Sequence, residues 1–75
     1  MTNLDREADV LDVVALLADR PGDGLARGQV GTVVEELDAG TVLVEFSGDD
    51  GRAYAIEPLP RADLLILHYV PEAAE

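Results

Sequence analysis

The chain contains no cysteine, no lysine and no tryptophan, and its aromatic residues are one phenylalanine and two tyrosines. Without cysteine there is no disulfide framework, no thiolate metal site and no thiol nucleophile. Without lysine, the cations are a single histidine and five arginines, scattered at positions 6, 20, 27, 52 and 61. Nucleic acids are bound by neutralising phosphates with Lys and Arg, so this inventory argues against a DNA or RNA partner. It argues equally against an anionic membrane surface. No apolar run reaches the ~18 residues a membrane span requires. The opening residues 1–7 are polar and acidic with no apolar segment, which reads against a secretory leader and for a cytoplasmic setting.

What is present is acid and aliphatic. Sixteen acidic residues against five arginines give a net charge of −11 on 75 residues, enough chain for one domain. Apolar residues make up 48% of the chain, too many for a disordered acidic tail. Such a charge keeps a domain soluble and speeds its encounter with basic proteins. A domain near this size buries only about 60% of its unfolded surface, so oligomerisation or a partner would add stability.

Residues 1–9 read as an acidic N-terminal tail, 10–70 as the folded unit and 71–75 as an acidic C-terminal tail. The stretch 10–17 is almost entirely apolar. Leu4, Ala8, Leu11, Ala15 and Ala18 match a helical stripe, with Thr2 or Asn3 as N-cap. The β-branched Val10, Val13 and Val14 and the stop at Pro21-Gly22 favour a strand, with room for a short helical turn before it. Residues 19–28 hold three glycines and a proline and read as a loop. In 29–37, Val30, Thr32 and Val34 alternate with Gly31, Val33 and Glu35. In 41–47, Val42, Val44 and Phe46 alternate with Thr41, Leu43 and Glu45. Asp38-Ala39-Gly40 reads as a hairpin loop with Gly40 at positive φ, and Gly48-Asp49-Asp50-Gly51 as a second turn. A fourth strand over 52–57 is broken by Pro58-Leu59-Pro60. Arg61-Ala62-Asp63 reads as a 3₁₀ turn and 64–69 as a fifth strand.

The expected fold is therefore all-β: a small five-stranded SH3-like (KOW-like) barrel with strands near 10–17, 29–37, 41–47, 52–57 and 64–69. Its core is expected from Val13, Leu16, Val30, Val33, Val44, Phe46, Ile56, Leu65 and Leu67, although the pattern leaves the inward set of two strands open. Gly31, in mid-strand, marks a bulge or a close backbone approach, and Gly28 a left-handed turn.

Two resemblances accompany this reading. Arg27-Gly28, Gly31-Thr32 and Val33 resemble a run in the SH3-like domain of the nitrile hydratase β subunit, and Gly24 to Glu35 is similar to the KOW-type element of such barrels. The longer match runs through Asp12 to Leu17, Pro21, Gly24-Leu25, Gly31 to Glu35, Val44-Glu45-Phe46, Asp50 to Ala55 and Leu64-Leu65. Over roughly residues 10–67 it resembles a small bacterial family, the "domain of unknown function 4926". That resemblance implies an SH3-like fold and carries no catalytic or binding residue across.

Candidate chemistry is sparse. His68 lacks the nucleophile and orienting group of a triad, Ser47 being the only serine, and lacks partner ligands for a metal. Glu35-Glu36 are strand neighbours pointing to opposite faces. Asp49-Asp50 sit in a turn that fails calcium-loop spacing. Residues 22–28 are glycine-rich without the Lys-Ser/Thr of a phosphate loop. Tyr54, Tyr69 and Phe46 are too few for a proline-peptide groove or a base-stacking platform. No cofactor and no metal are expected, and no enzymatic activity.

The expected function is a protein-interaction module for a basic protein, of antitoxin or immunity-like type; the alternative is a KOW-type nucleic-acid accessory domain. Exposed carboxylates steer basic partners at long range, which nominates Asp23, Glu35, Glu36, Asp38, Asp49 and Asp50, with Tyr54 as aromatic anchor. Arg27 and Arg52 are expected to clamp loops to neighbouring carboxylates. Edge strands offer a second contact mode, including self-association. Like-charge repulsion among sixteen carboxylates should yield to screening: moving from low salt to about 0.5 M NaCl should raise the melting temperature. A salt-independent melting curve, followed by circular dichroism, would show the repulsion to be already balanced by local pairing.

Overall fold

Alternation in the two central strands sets the core. The computed structural model describes residues 8–48 and 50–68. β2 (Val30–Asp38) and β3 (Thr41–Ser47) pair antiparallel and turn Val33, Val42, Val44 and Phe46 inward, each fully buried. β1 (Val13–Leu16) adds Val14 and Leu16, β4 (Ala53–Pro60) adds Leu59, and β5 (Leu64–Ile66) adds Leu64. Leu25 from the long β1–β2 connection and Ala8 close the cluster.

The five strands form one sheet in the order β4-β3-β2-β1-β5, with every pairing antiparallel. β2, β3 and β4 are a meander. A 3₁₀ turn over Arg61–Asp63 then carries the chain to β5, which pairs with the far side of β1. This strand order is compatible with an SH3-like barrel. No helix among the described residues is long and apolar enough to cross a membrane.

Curvature has three local sources. Gly31 faces the core with no side chain, and Val44 and Phe46 fold over it: a Cβ there would stand 2.7 Å from Val44 Cγ1, 2.8 Å from the Glu45 carbonyl oxygen and 2.9 Å from Phe46 Cδ1. Register shifts between Val33 and Glu35 and between Glu36 and Asp38 leave Val34 and Leu37 without partners on β3. Such bulges bend and twist a strand, and both residues emerge exposed. Gly28, at φ 91°, turns the loop back so that its N–H reaches the Leu16 carbonyl at 2.8 Å.

Several expectations are corrected. β1 is a strand, as read, but only over 13–16, preceded by a turn in which the Asp12 N–H donates to the Asp9 carbonyl at 3.0 Å. Pro58 and Pro60 do not break the fourth strand; β4 runs through both, opposite Leu43 and Thr41. β4 is an edge strand, so a residue lacking an N–H costs no ladder bond on the side facing away from β3. Gly40 is not left-handed: the Asp38 carboxylate takes its N–H at 2.8 Å instead, which closes the hairpin without positive φ. β5 ends at Ile66; the part of the fifth strand read over 69, and Tyr69 itself, lie outside the described residues. Ala8, read as tail, is 3% exposed and belongs to the core.

The expected core is half right. Leu16, Val33, Val44 and Phe46 are buried, whereas Val30, Ile56 and Leu65 are exposed and Val13 and Leu67 are half-buried. The exposed three belong to the opposite parity of their strands. Parity misled because both parities are apolar.

Gly31 offers a direct test of the packing. Gly31→Ala should destabilise the fold by about 1–3 kcal/mol through overpacking. Gly22→Ala, whose added Cβ meets nothing within 4 Å, should stay within about 0.5 kcal/mol. Urea denaturation of the two variants measures the difference; equal midpoints would refute the close approach at Gly31.

Candidate functional site

Arg61 gathers more of the chain than any other described side chain. It follows Pro60 in the 3₁₀ turn, and its side chain is only 8% exposed. Its Nε donates to the Ala8 carbonyl at 2.9 Å, Nη1 to the carbonyls of Asp38 (2.9 Å) and Ala39, and Nη2 to Glu36 Oε2 at 2.7 Å. Its backbone N–H reaches the Gly40 carbonyl at 2.9 Å. A guanidinium suits this role because its donors form a rigid planar fork. Beside it lies an open cavity of about 300 Å³ lined by Ala8, Asp9, Glu36, Ala39 and Arg61. Arg20 is a second clamp. Its Nε meets Asp23 Oδ2 at 3.0 Å, its Nη1 lies 3.7 Å from Asp63 Oδ2, and its backbone exchanges bonds with Leu25, tying the long loop to the 3₁₀ turn.

The nominated carboxylates do not converge. Asp23 pairs with Arg20 in the β1–β2 loop. Glu36 and Asp38 serve the Arg61 cage and the β2–β3 hairpin. Asp50 accepts the Arg52 N–H at 3.0 Å in the β3–β4 turn, and Asp49 lies outside the described residues. Glu35 stands exposed on β2, opposite Leu43. Tyr54 is 51% exposed; its hydroxyl accepts from Gln29 Nε2 at 2.8 Å, and its ring lies 6.4 Å from that of Phe46 at a 36° tilt. It covers one end of the core rather than standing free. Arg27 and Arg52 are held through their backbone N–H groups, to Asp19 and Asp50, and among the described residues not through their guanidinium groups. His68 and Ser47 are exposed. Among the described residues no group of three His, Cys, Asp or Glu could hold a metal ion.

The sheet's outward side was not foreseen. Cross-strand partners share a face. One row on this side is Leu65–Ala15–Val30, and another is Val13–Thr32–Glu45–Ile56. Leu65 is 51%, Ile56 50% and Val30 47% exposed. An antiparallel sheet with one solvated face alternates apolar inside with polar outside; this one carries apolar residues on its outward side as well, between Thr32, Glu35 and Glu45. The signal was in the sequence, in the unbroken apolar run 13–17 and in the valines on both parities of β2.

Removing the Arg61 guanidinium should be costly, because several carbonyls lose a charged donor in a nearly closed site. Arg61→Met should cost about 2–3 kcal/mol, a fall in melting temperature of roughly 10–20 °C for a domain of this size. Glu36→Gln removes a carboxylate that is 57% exposed and should cost under about 1 kcal/mol. Thermal melts of both variants check the ranking; equal losses would make the ion pair, rather than the carbonyl cage, the source of stability.

No curated protein and no solved structure matches the chain. The profile of one family, described as Domain of unknown function (DUF4926), matches residues 10–66. That span takes in all five strands, both clamping arginines and the outward apolar rows, and the chain belongs to this family.

Proposed function

We propose that the domain is a non-enzymatic interaction module that holds a basic protein, in the manner of an antitoxin or immunity protein neutralising an enzyme. The observation that supports this reading most is the exposure of Val30, Ile56 and Leu65 on one sheet face of a domain with sixteen acidic and five basic residues. Exposed apolar residues gathered on one face of a small domain offer a surface for an interaction. The surrounding carboxylates raise the encounter rate with a cationic partner and repel polyanions. Glu35 is the nominated carboxylate best placed to meet such a partner, since Asp23, Glu36, Asp38 and Asp50 already serve the domain's own loops. The KOW-type alternative draws on strand order, and the net charge of −11 opposes it. Edge pairing between copies is limited to the three-residue β5, because Pro58 and Pro60 blunt β4.

The domain, immobilised and exposed to lysate of its source cells, should retain a basic protein identified by mass spectrometry. With that protein purified, association should slow about tenfold or more between low and 0.5 M salt, and Glu35→Lys should slow it further. An acidic partner, or an association rate indifferent to salt, would sink the reading. Micromolar binding of DNA or RNA in a mobility-shift assay at physiological salt would move the function to the nucleic-acid alternative, since even non-specific binders reach about 10⁻⁴–10⁻⁶ M.

A further inference from the structure

We propose that the basic partner seats on the outward side of β5, β1 and β2, with an apolar side chain over Ala15 and cations reaching Glu35 and Glu45. The assignment rests on the interaction-module reading above and names the surface that performs it. Three observations converge on it.

The first is shape. Ala15 is half-buried and flanked in register by Val30 on β2 and Leu65 on β5, each about half exposed. A one-carbon side chain between two branched ones would leave a shallow apolar hollow between β2 and β5. Binding energy concentrates where an anchor side chain fills such a hollow and water is excluded around it.

The second is charge. Every ionisable side chain that the strand register places on this side, Glu35, Asp38 and Glu45, is acidic. A second copy of the chain would bring these carboxylates, and two net charges of −11, against one another. A basic partner carrying Lys or Arg around an apolar anchor is complementary to both features, so charge selects it over self-association.

The third is strain. Leu11 adopts φ 75°, the only non-glycine residue with positive φ among those described, and is 77% exposed. Its N–H donates to the Val33 carbonyl at 2.8 Å, and the Asp9 and Asp12 carboxylates hold the turn around it. A leucine in this conformation stores strain and here recovers nothing by burial. Such outliers persist where they serve a function. The turn presents Leu11 to solvent just ahead of β1.

The test uses three labelled peptides: an amphipathic Leu/Lys peptide, an oligolysine of equal charge, and a Leu/Glu peptide of the same pattern. The Leu/Lys peptide should bind the domain about tenfold tighter than oligolysine, and the Leu/Glu peptide should not bind. Val30→Thr/Leu65→Thr should erase the tenfold advantage and leave oligolysine binding unchanged. Leu11→Gly should weaken the Leu/Lys peptide while leaving the melting temperature equal or higher, because glycine relieves the strain. Amide shifts on titration should centre on Ala15, Thr32 and Leu65. Full affinity in the double variant, or shifts centred on Asp23 and Asp50, would overturn the assignment while leaving the basic-partner reading intact. Failure of both basic peptides to bind would overturn that reading itself. A wild-type dimer in sedimentation that the double variant dissociates would make a second copy the occupant and refute the one named here.

Discussion

The guanidinium of Arg61 is where three separate stretches of backbone meet: the segment before β1, through the Ala8 carbonyl; the β2–β3 hairpin, through Asp38, Ala39 and Glu36; and the 3₁₀ turn to which it belongs. A sheet ordered β4-β3-β2-β1-β5 has two edges and must curl for one face to be covered. No hydrogen-bonded ladder joins β4 to β5. The 3₁₀ turn makes the connection, and Arg61 holds that turn against the hairpin. Burying a cation is expensive unless donors and charge are both satisfied. Carbonyl oxygens satisfy most of these donors, and the one described carboxylate in the cage, Glu36, remains more than half exposed. The site therefore depends on the backbone of the hairpin being in its native place, which couples closure of the sheet to formation of its central turn.

Curvature depends on what the sequence omits. Gly31 leaves room on β2 for Val44 and Phe46 to lie across it, and the bulges at Val34 and Leu37 relieve a strand too long to stay flat against β3. These features are coupled. A side chain at position 31 would lift β3, and a β2 without bulges would carry the hairpin away from Arg61. Bending toward the core spreads the outward surface, which is where the unpartnered apolar residues lie.

Much of this was legible in the sequence, and the failures have common causes. β3 has the expected limits, 41–47, because strict alternation, a glycine turn at each end and a single aromatic leave one interpretation. The 3₁₀ turn at Arg61–Asp63 followed from the proline before it. Local sequence ends β4 at Glu57, because proline reads as a breaker, whereas its effect depends on whether the strand is at an edge, a fact of topology and not of local sequence. Val30, Ile56 and Leu65 read as core from the sequence because alternation reveals a face only when the two faces differ in polarity. The nominated carboxylates lie in turns and on exposed strand faces, and turns are also where a domain without lysine uses acids to hold backbone N–H groups, as Asp38 and Asp50 do. Arg61 itself left no signal beyond its scarcity, since its partners lie 22, 25 and 53 residues away in the chain.

The parity failure is informative in its own right. Strands solvated on one side usually alternate, and departure from alternation without a second covering layer leaves in water apolar area that would contribute about 25 cal/mol per Å² if it were buried. A 75-residue domain carrying a net charge of −11 has a small stability margin, to which such burial would add. On the proposed reading a partner covers the face and recovers that contribution. The acidity then has a double effect. On the proposed reading it would keep the uncovered domain apart from its own copies, and it would bias what covers the face toward cations. On the proposed reading, solubility and partner choice are two consequences of one charge distribution, and the apolar residues on the outward side of the sheet would supply the binding surface that charge by itself, screened within about 8 Å at physiological ionic strength, would not.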